Sequence, residues 1–201
     1  MSHSPRPGNR PRQRASAWSR LFSLLTTIIL TVAFALFLRF FVAEFYVVEQ
    51  GSMETTLMPG QVVMVDKIGT ALWPYRAGDI VVFNPPAGLK DVPAGIPFVK
   101  RIIAFGGSTV TLLAGDQIAV NGKVLDEPYV HSTHGTQPVV GGALSWVVPA
   151  GDVFVMGDHR DVSKDSRAFG PIPMTSILGR VYLRVWPNPG LVTDTPPWNS
   201  H

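Results

Sequence analysis

A serine and a lysine in separate segments of this chain have the chemistry needed for acyl transfer. Ser52 lies in the stretch Gln-Gly-Ser-Met-Glu, and Lys100 lies in the apolar stretch Phe-Val-Lys-Arg-Ile. A serine hydroxyl becomes an effective nucleophile when a neighbouring base takes its proton. A lysine amine can be that base if burial lowers its pKa enough to leave it neutral. The two residues are therefore the parts of a Ser-Lys hydrolase.

Each of the two residues also has a purely structural explanation. Serine is common in turns, so Ser52 alone is weak evidence for catalysis. Lys100 could point into solvent from a half-buried strand, and alternation along the strand would then place Arg101 on the opposite face. One of these two basic side chains must face inward or lie at a strand end. Taken alone, the strand is equally compatible with a surface lysine and with a catalytic one.

A third polar segment follows an apolar stretch near the end of the chain. Residues 157–167 read Gly-Asp-His-Arg-Asp-Val-Ser-Lys-Asp-Ser-Arg. Such a segment could be a charged surface loop, in which single ion pairs contribute little to stability. We expect Asp161 and Lys164 to be surface residues of this kind.

The composition excludes several classes of function. The 201 residues include no cysteine, which excludes disulfides, thiol catalysis and cysteine-ligated zinc. The net charge is +3, but five arginines lie within the first 20 residues, so the remainder of the chain carries a net charge of −2. The basic character belongs to a tail, which argues against nucleic acid as a partner. His131 and His134 share a loop without a suitably spaced third ligand, so we expect no metal and no cofactor.

An apolar run near the N-terminus predicts a membrane anchor. Residues 21–38 carry no charged side chain, and a helix of this length spans roughly 27 Å at ~1.5 Å per residue, about one hydrocarbon core. We therefore predict a basic cytoplasmic tail (residues 1–20), a transmembrane helix (residues 21–43) and an exported domain (residues 44–201). Because arginine-rich flanks stay inside, this domain would lie on the outer face of the membrane, with lipid as a partner.

A cleaved signal peptide is the alternative for the same run. It also has a basic start and an apolar stretch, and its cleavage site needs small residues after that stretch. Ala33-Phe34-Ala35 has the small-x-small pattern but lies inside the run. Phe41 is bulky at a position where a cut after Ala43 would need a small residue. The sequence therefore favours a retained anchor.

The remainder of the chain predicts short strands. Six segments are rich in β-branched or apolar residues and are bounded by Gly, Pro or Asp. They are residues 61–65, 79–83, 98–103, 118–125, 153–156 and 181–186. Asn121-Gly122 interrupts the fourth segment and favours a type I′ turn, hence a hairpin. Residues 84–97 and 129–142 are predicted to be loops. The fold class is therefore mainly β, with an antiparallel sheet domain behind a single N-terminal helix.

The three polar segments, in this order behind the apolar run, resemble bacterial type I signal peptidases. The resemblance covers residues 41–186, and its most specific part is the Gly-Asp-x-Arg-Asp-x-Ser-x-Asp-Ser-Arg stretch. It implies an all-β fold of antiparallel sheets and a serine endopeptidase that removes signal peptides from exported preproteins. It also implies Ser52 as nucleophile, Lys100 as general base and Ser163 as the residue that orients the lysine. Four charged residues would brace the site: Asp158, Arg160, Asp165 and Arg167.

The chain departs from the family's pattern at three positions. Gln50 stands where the family usually has a serine whose hydroxyl helps to line the oxyanion hole. Either the Gln50 amide is the donor there, or the side chain points away and leaves the backbone N–H of Ser52. Thr55 stands where the family usually has proline, and His159 replaces a usual asparagine.

The sequence also shares features with two other classes of protein. A self-cleaving repressor-type Ser-Lys protease is expected to be soluble and to have a DNA-binding module, which the predicted anchor argues against. A non-catalytic β-rich membrane protein that binds envelope partners would be compatible with Gln50 and Thr55. The presence of Ser52, Lys100 and Ser163 argues against this second class.

Overall fold

The described residues of the N-terminal part form one helix. The computed structural model describes residues 17–37, 43–67, 73–90, 92, 95–113, 117–131 and 145–192. The chain divides into two compact units, residues 1–39 and residues 40–201. The first contains helix α1 (Ala17–Phe37). Within it, Trp18–Ala35 is long and apolar enough to cross a membrane, and none of that span is buried in protein.

The second unit is built from short strands. They are β1 (Ala43–Val47), β2 (Val62–Asp66), β3 (Ile80–Phe83), β4 (Phe98–Phe105), β5 (Thr109–Leu112), β6 (Ile118–Val120), β7 (Lys123–Val124), β8 (Ser145–Val147), β9 (Asp152–Met156), β10 (Ile172–Pro173), β11 (Ile177–Trp186) and β12 (Gly190–Leu191). A short helix, α2 (Ser166–Phe169), and two 3₁₀ turns, Gly51–Met53 and Met174–Ser176, complete the described elements. The predicted mainly β fold is confirmed.

The strands form two sheets. The larger has the order β1-β2-β11-β3-β4-β9-β10, with β12 paired to β11, and the smaller has the order β7-β6-β5-β8. Every pairing between these strands is antiparallel. The predicted hairpin is present between β6 and β7, where Asn121 and Gly122 have φ angles of 52° and 81°. Both angles are positive, as a type I′ turn requires.

The middle of the larger sheet is covered on both faces. All four residues of β3 are buried; Ile80 and Val82 pack in one apolar cluster, and Val81 and Phe83 pack in another. Because side chains alternate between the faces of a strand, two clusters mean two covered faces. Strand β4 pairs directly with β3, and residues on both of its faces are likewise buried.

The two basic residues of β4 are consequently both inside the protein. Lys100 is 1% exposed and Arg101 is 0% exposed. The interpretation of Lys100 as a surface lysine is therefore wrong. It assumed a sheet with one solvated face, whereas β4 lies in a doubly covered region.

Candidate active site

Ser52 lies in a tight turn that follows β1. It is the middle residue of the 3₁₀ turn Gly51–Met53 and is 5% exposed. The turn is fixed on its C-terminal side, because Met53 and Leu57 are fully buried in the cluster that also contains residues of β2 and β3. The sequence thus folds here by burying two large apolar side chains after the serine.

Strand β4 brings Lys100 to the serine. The Nζ atom of Lys100 lies 2.6 Å from Oγ of Ser52. It is also 3.2 Å from the carbonyl oxygen of Val99 and 5.0 Å from the centre of the Phe98 ring. The two residues that sequence analysis paired as nucleophile and base are therefore within hydrogen-bond distance.

The surroundings of Lys100 favour its neutral form. Burial lowers the pKa of Lys100 to about 8, because a charged amine loses its hydration inside the protein. The carboxylates of Asp165 and Asp158 act in the opposite direction, and the positive charge of Arg167 adds to the lowering. A substantial fraction of the amine is thus neutral at mildly alkaline pH.

The third polar segment packs directly against the nucleophile turn. A side chain at Gly157 would collide with the carbonyl oxygen of Ser52 and with Ser163, so only glycine allows this close approach. The backbone N–H of His159 donates to the carbonyl oxygen of Ser52 over 3.1 Å. The segment therefore fixes the backbone of Ser52.

Asp158 pairs with the second basic residue of β4. Arg101 donates to both carboxylate oxygens of Asp158, from Nε over 2.9 Å and from Nη2 over 2.7 Å, and both side chains are buried. The hydroxyl of Thr56 donates to the same carboxylate over 2.5 Å. Asp158 thus connects β4 and the turn after Ser52 to the third polar segment.

Asp165 and Arg167 form a second buried pair. Nε and Nη2 of Arg167 donate to the Asp165 carboxylate over 2.8 and 2.9 Å, and the backbone N–H of Gly157 donates to it over 3.0 Å. Burial raises the pKa of Asp165, but these hydrogen bonds and the charge of Arg167 outweigh burial and hold the pKa below its ordinary value. Asp165 also caps α2 by accepting from the Arg167 backbone N–H.

Arg160 has partners that sequence analysis missed. Its guanidinium donates to both carboxylate oxygens of Glu127, over 3.1 and 2.5 Å, and the hydroxyl of Tyr129 donates to Glu127 over 2.9 Å. The guanidinium carbon of Arg101 lies 3.9 Å from the centre of the Tyr129 ring. Glu127 and Tyr129 belong to a segment in which no local pattern signals a buried acid, so only the fold reveals them.

Ser163 is buried beside this network. Its Oγ makes no hydrogen bond of good geometry with any residue in the described ranges, although its proximity contributes to the lowered pKa of Asp165. Lys100 is hydrogen-bonded to Ser52 and to the Val99 carbonyl instead. The role of Ser163 in orienting the lysine stays a prediction.

A groove of about 250 Å³ opens beside Ser52. Its walls are mostly apolar and come from β1, from the residues that follow β1 and from residues 96–99. Gln50 also lines the groove; it is exposed, and its side chain does not cap the 3₁₀ turn.

The chain matches known proteins over most of its length. Residues 21–186 match the family model of signal peptidase, peptidase S26. The chain belongs to this family. It is 37% identical to signal peptidase I of Leptolyngbya laminosa over 92% of both chains. It is 36% identical to signal peptidase IB of Staphylococcus aureus (strain Mu50), with coverage of 79% of this chain and 88% of the relative.

A solved structure is also similar. The crystal structure of a signal peptidase I from Enterococcus faecalis V583 is 30% identical, covers 54% of this chain and 96% of that chain, and has a TM-score of 0.42. As a member of the signal peptidase family, the protein is a serine peptidase, and its reaction class is hydrolysis.

The other predicted positions in this signal peptidase have mixed outcomes. Asp161 and His131 are exposed, as expected for surface residues, and Lys164 is half-buried. His134 lies outside the described residues. Among the residues that the structure describes, no group of three His, Asp or Glu side chains could hold a metal ion.

Proposed function

We propose that this protein is a membrane-anchored endopeptidase that removes N-terminal signal peptides from exported preproteins with a Ser52-Lys100 dyad. The observation that carries the proposal is the 2.6 Å approach of the buried Lys100 amine to the Ser52 hydroxyl beside an open, apolar groove. The lowered pKa of Lys100 supports its role as a base, because an ammonium group cannot accept a proton.

Acylation begins when the substrate's scissile carbonyl lies next to Ser52. The Oγ atom attacks the carbonyl carbon while neutral Lys100 takes the hydroxyl proton. The backbone N–H of Ser52 is our candidate donor to the developing oxyanion, together with the Gln50 amide if it turns toward the site. The lysine then gives its proton to the leaving amine, and the mature protein departs while the signal peptide stays esterified to Ser52.

Deacylation uses the same base a second time. Lys100, neutral again, takes a proton from water, and the hydroxide attacks the ester carbonyl. This attack forms a tetrahedral intermediate. Its collapse breaks the ester bond to Ser52, and Lys100 returns the proton to the Ser52 oxygen. The groove lined by Phe45, Val47, Ile96 and Val99 would hold the substrate segment before the cut, for which the family resemblance implies small residues at the first and third positions.

Helix α1 supplies the proposed anchor. We place residues 1–20 in the cytoplasm, the membrane span within the predicted residues 21–43, and residues 44–201 on the outer face of the plasma membrane. The span ends before Ala43, because that residue begins β1 and pairs with β2. The signal peptide of a preprotein also lies in the bilayer. Confinement of enzyme and substrate to one surface raises their effective concentration, which gives the anchor a physical purpose.

Removal of either dyad residue tests the proposal. We expect Ser52→Ala and Lys100→Ala each to abolish nearly all cleavage of a preprotein by the detergent-solubilised enzyme, with the fold intact by circular dichroism. Arg101 cannot replace the lysine, because a guanidinium does not lose its proton at working pH. Lys123→Ala, at an exposed position of the β6–β7 hairpin, is the matched control and should cleave normally. Substantial turnover by folded Lys100→Ala protein would contradict the dyad.

A further inference from the structure

The turn that directly follows Ser52 contains a strained residue. The backbone N–H of Thr56 donates to the carbonyl oxygen of Met53 over 3.0 Å, which closes a four-residue turn. Its central residues are Glu54, with φ −57° and ψ 137°, and Thr55, with φ 73°. These angles are those of a type II turn, whose third position normally holds glycine or asparagine. A β-branched residue in the left-handed region is a conformational outlier.

Strain of this kind persists only where neighbouring contacts hold it. The hydroxyl of Thr55 donates to the carbonyl oxygen of Tyr129 over 3.0 Å, across 74 positions of sequence. The segment that accepts this hydrogen bond is itself fixed, since His131 N–H donates to the Asp158 carbonyl over 2.9 Å and Arg160 N–H donates to the His131 carbonyl over 3.0 Å. Thr55 is thus attached to a rigid part of the molecule.

The neighbouring residue makes a second attachment. An Oε atom of Glu54 lies 3.2 Å from Nδ1 of His159. The His159 ring in turn lies edge-on to the ring of His131, with 4.9 Å between the ring centres. Both central residues of the turn therefore contact the two segments that surround the site, and the backbone N–H of His159 reaches Ser52 itself.

We propose that Thr55 is a positioning residue for the nucleophile: its hydrogen bond to Tyr129 holds the turn in a strained conformation that keeps Ser52 Oγ against Lys100. This inference rests on the proposed function of Ser52 and Lys100. The turn starts at Met53, directly after the serine, so a change in its backbone changes the direction of the Ser52 side chain. Displacement of a reacting atom by about 1 Å can lower a rate by roughly 100-fold.

The family usually carries proline at the position of Thr55. Proline fixes φ near −65°, whereas this turn needs 73° at residue 55. In this chain Thr55→Pro is therefore incompatible with the turn as it stands. In this chain the hydrogen bond from Thr55 to Tyr129, and not a proline ring, holds the turn after the serine.

Three substitutions at Thr55 separate the hydroxyl from the strain. Thr55→Ser keeps the hydroxyl and should keep kcat. Thr55→Val keeps the branched shape but removes the donor, and Thr55→Gly removes both the donor and the strain. We expect Thr55→Val to lower kcat about 10- to 100-fold with little change in KM, because the strained turn loses its hydrogen bond and the serine is misplaced while the groove is intact. Thr55→Gly should keep most of kcat, because glycine adopts the positive φ of this turn without strain.

A melting experiment distinguishes positioning from stability. Glycine relieves the strained φ but increases the freedom of the unfolded chain, so the two effects offset each other and the Tm of Thr55→Gly should stay within about 3 °C of the wild type. Asn121→Gly is the matched control, because Asn121 also has a positive φ, in a hairpin of the smaller sheet. It should leave kcat unchanged.

Two results would overturn the proposal. One is a wild-type kcat in Thr55→Val. The other is a fall in the kcat of Thr55→Val that goes with partial unfolding under the assay conditions, which would mean a structural role alone. Parallel assays of Ser52→Ala keep the two proposals apart. If Ser52→Ala is inactive and Thr55→Val is normal, only the positioning role is lost; if Ser52→Ala stays active, the nucleophile assignment itself is wrong.

Discussion

At the scale of single residues, the environment of Lys100 decides what the site can do. Two carboxylates, Asp165 and Asp158, favour the charged amine, and burial disfavours it. Burial has the larger effect, since each carboxylate is already neutralised by its own guanidinium, Arg167 in one case and Arg101 in the other. The ion pairs thus brace the site without protonating the base.

The pH dependence of cleavage follows from this balance. In the proposed mechanism the reactive form of Lys100 is the deprotonated one, so kcat/KM should rise about tenfold per pH unit below the pKa of about 8 and level off above it. Initial rates on a synthetic signal-peptide substrate would measure this, with circular dichroism at each pH as the control for folding. A flat profile across the folded range would contradict a lysine base.

Burial of Lys100 should also cost stability. Its pKa is about 8 in the folded state against an ordinary 10.5, so the cost is fully present below pH 8, declines as the pH rises from 8 to 10.5 and is absent above that. The difference of 2.5 units corresponds to roughly 3 kcal/mol. We expect Lys100→Met to be inactive and yet more stable than the wild type at pH 7, by up to about 3 kcal/mol. Urea unfolding at pH 7 and at about pH 10 would measure this, and a gain that fails to shrink at the higher pH would be evidence against it.

At the scale of elements, the site is assembled where three parts of the chain meet. Strand β4 provides Lys100 and Arg101, the turn after β1 provides Ser52, and residues 157–167 cover both. Strand β4 can carry two buried basic residues in succession because β3 and β9 flank it on either side and both of its faces are packed. The buried pair of Arg101 and Asp158 then fixes the covering segment to the strand.

Breaking the Arg101–Asp158 pair should therefore cost much stability, because it leaves a buried charge without its partner. Asp158→Asn removes the charge that compensates a fully buried guanidinium, and we expect a loss of about 3–5 kcal/mol in the free energy of unfolding. Denaturant unfolding would measure it. Glu44→Gln, which breaks the exposed pair with Lys67, is the control and should cost less than about 1 kcal/mol. Equal effects of the two substitutions would argue against the importance of the buried pair.

At the scale of the whole molecule, the chain combines an apolar helix with a β-rich peptidase unit. The Trp18–Ala35 span in α1 is consistent with the proposed anchor, and its basic flank predicts its direction. The proposed boundaries place the basic tail and the catalytic groove on opposite sides of the bilayer. The proposed substrates, preproteins in the course of export, would present their cleavage sites on the groove's side.

Topology can be measured with a reporter fused after His201. With the arginine-rich tail inside, we expect this reporter to be active outside the cytoplasm, whereas a reporter ahead of Met1 should stay inside. The purified protein should also retain its N-terminus. A mature chain that starts near Leu36 or Glu44 would show instead that the apolar run is a cleaved signal peptide.

Much of the architecture is determined by local sequence patterns. Alternating and β-branched runs predicted β2, β3, β4 and β9 to within one or two residues, and Asn121-Gly122 predicted its hairpin, because strand period and turn chemistry act between near neighbours. The predicted strand at residues 181–186 is the second half of β11, which begins at Ile177. Strand β1 was not predicted, because its aromatic residues follow the apolar run closely and resemble it in composition.

The site, in contrast, depends on contacts between distant residues. Residue types identified Ser52 and Lys100 as a possible pair, but only the fold brings their atoms to 2.6 Å and surrounds the amine with enough protein to lower its pKa. The Glu127–Arg160 pair and the positive φ of Thr55 likewise arise from segments far apart in sequence. A local pattern reports only the preference of a residue for burial or exposure. Which residues meet inside is decided by how the turn after β1 and residues 157–167 pack against β4, because that packing excludes water and sets the partner of each buried charge.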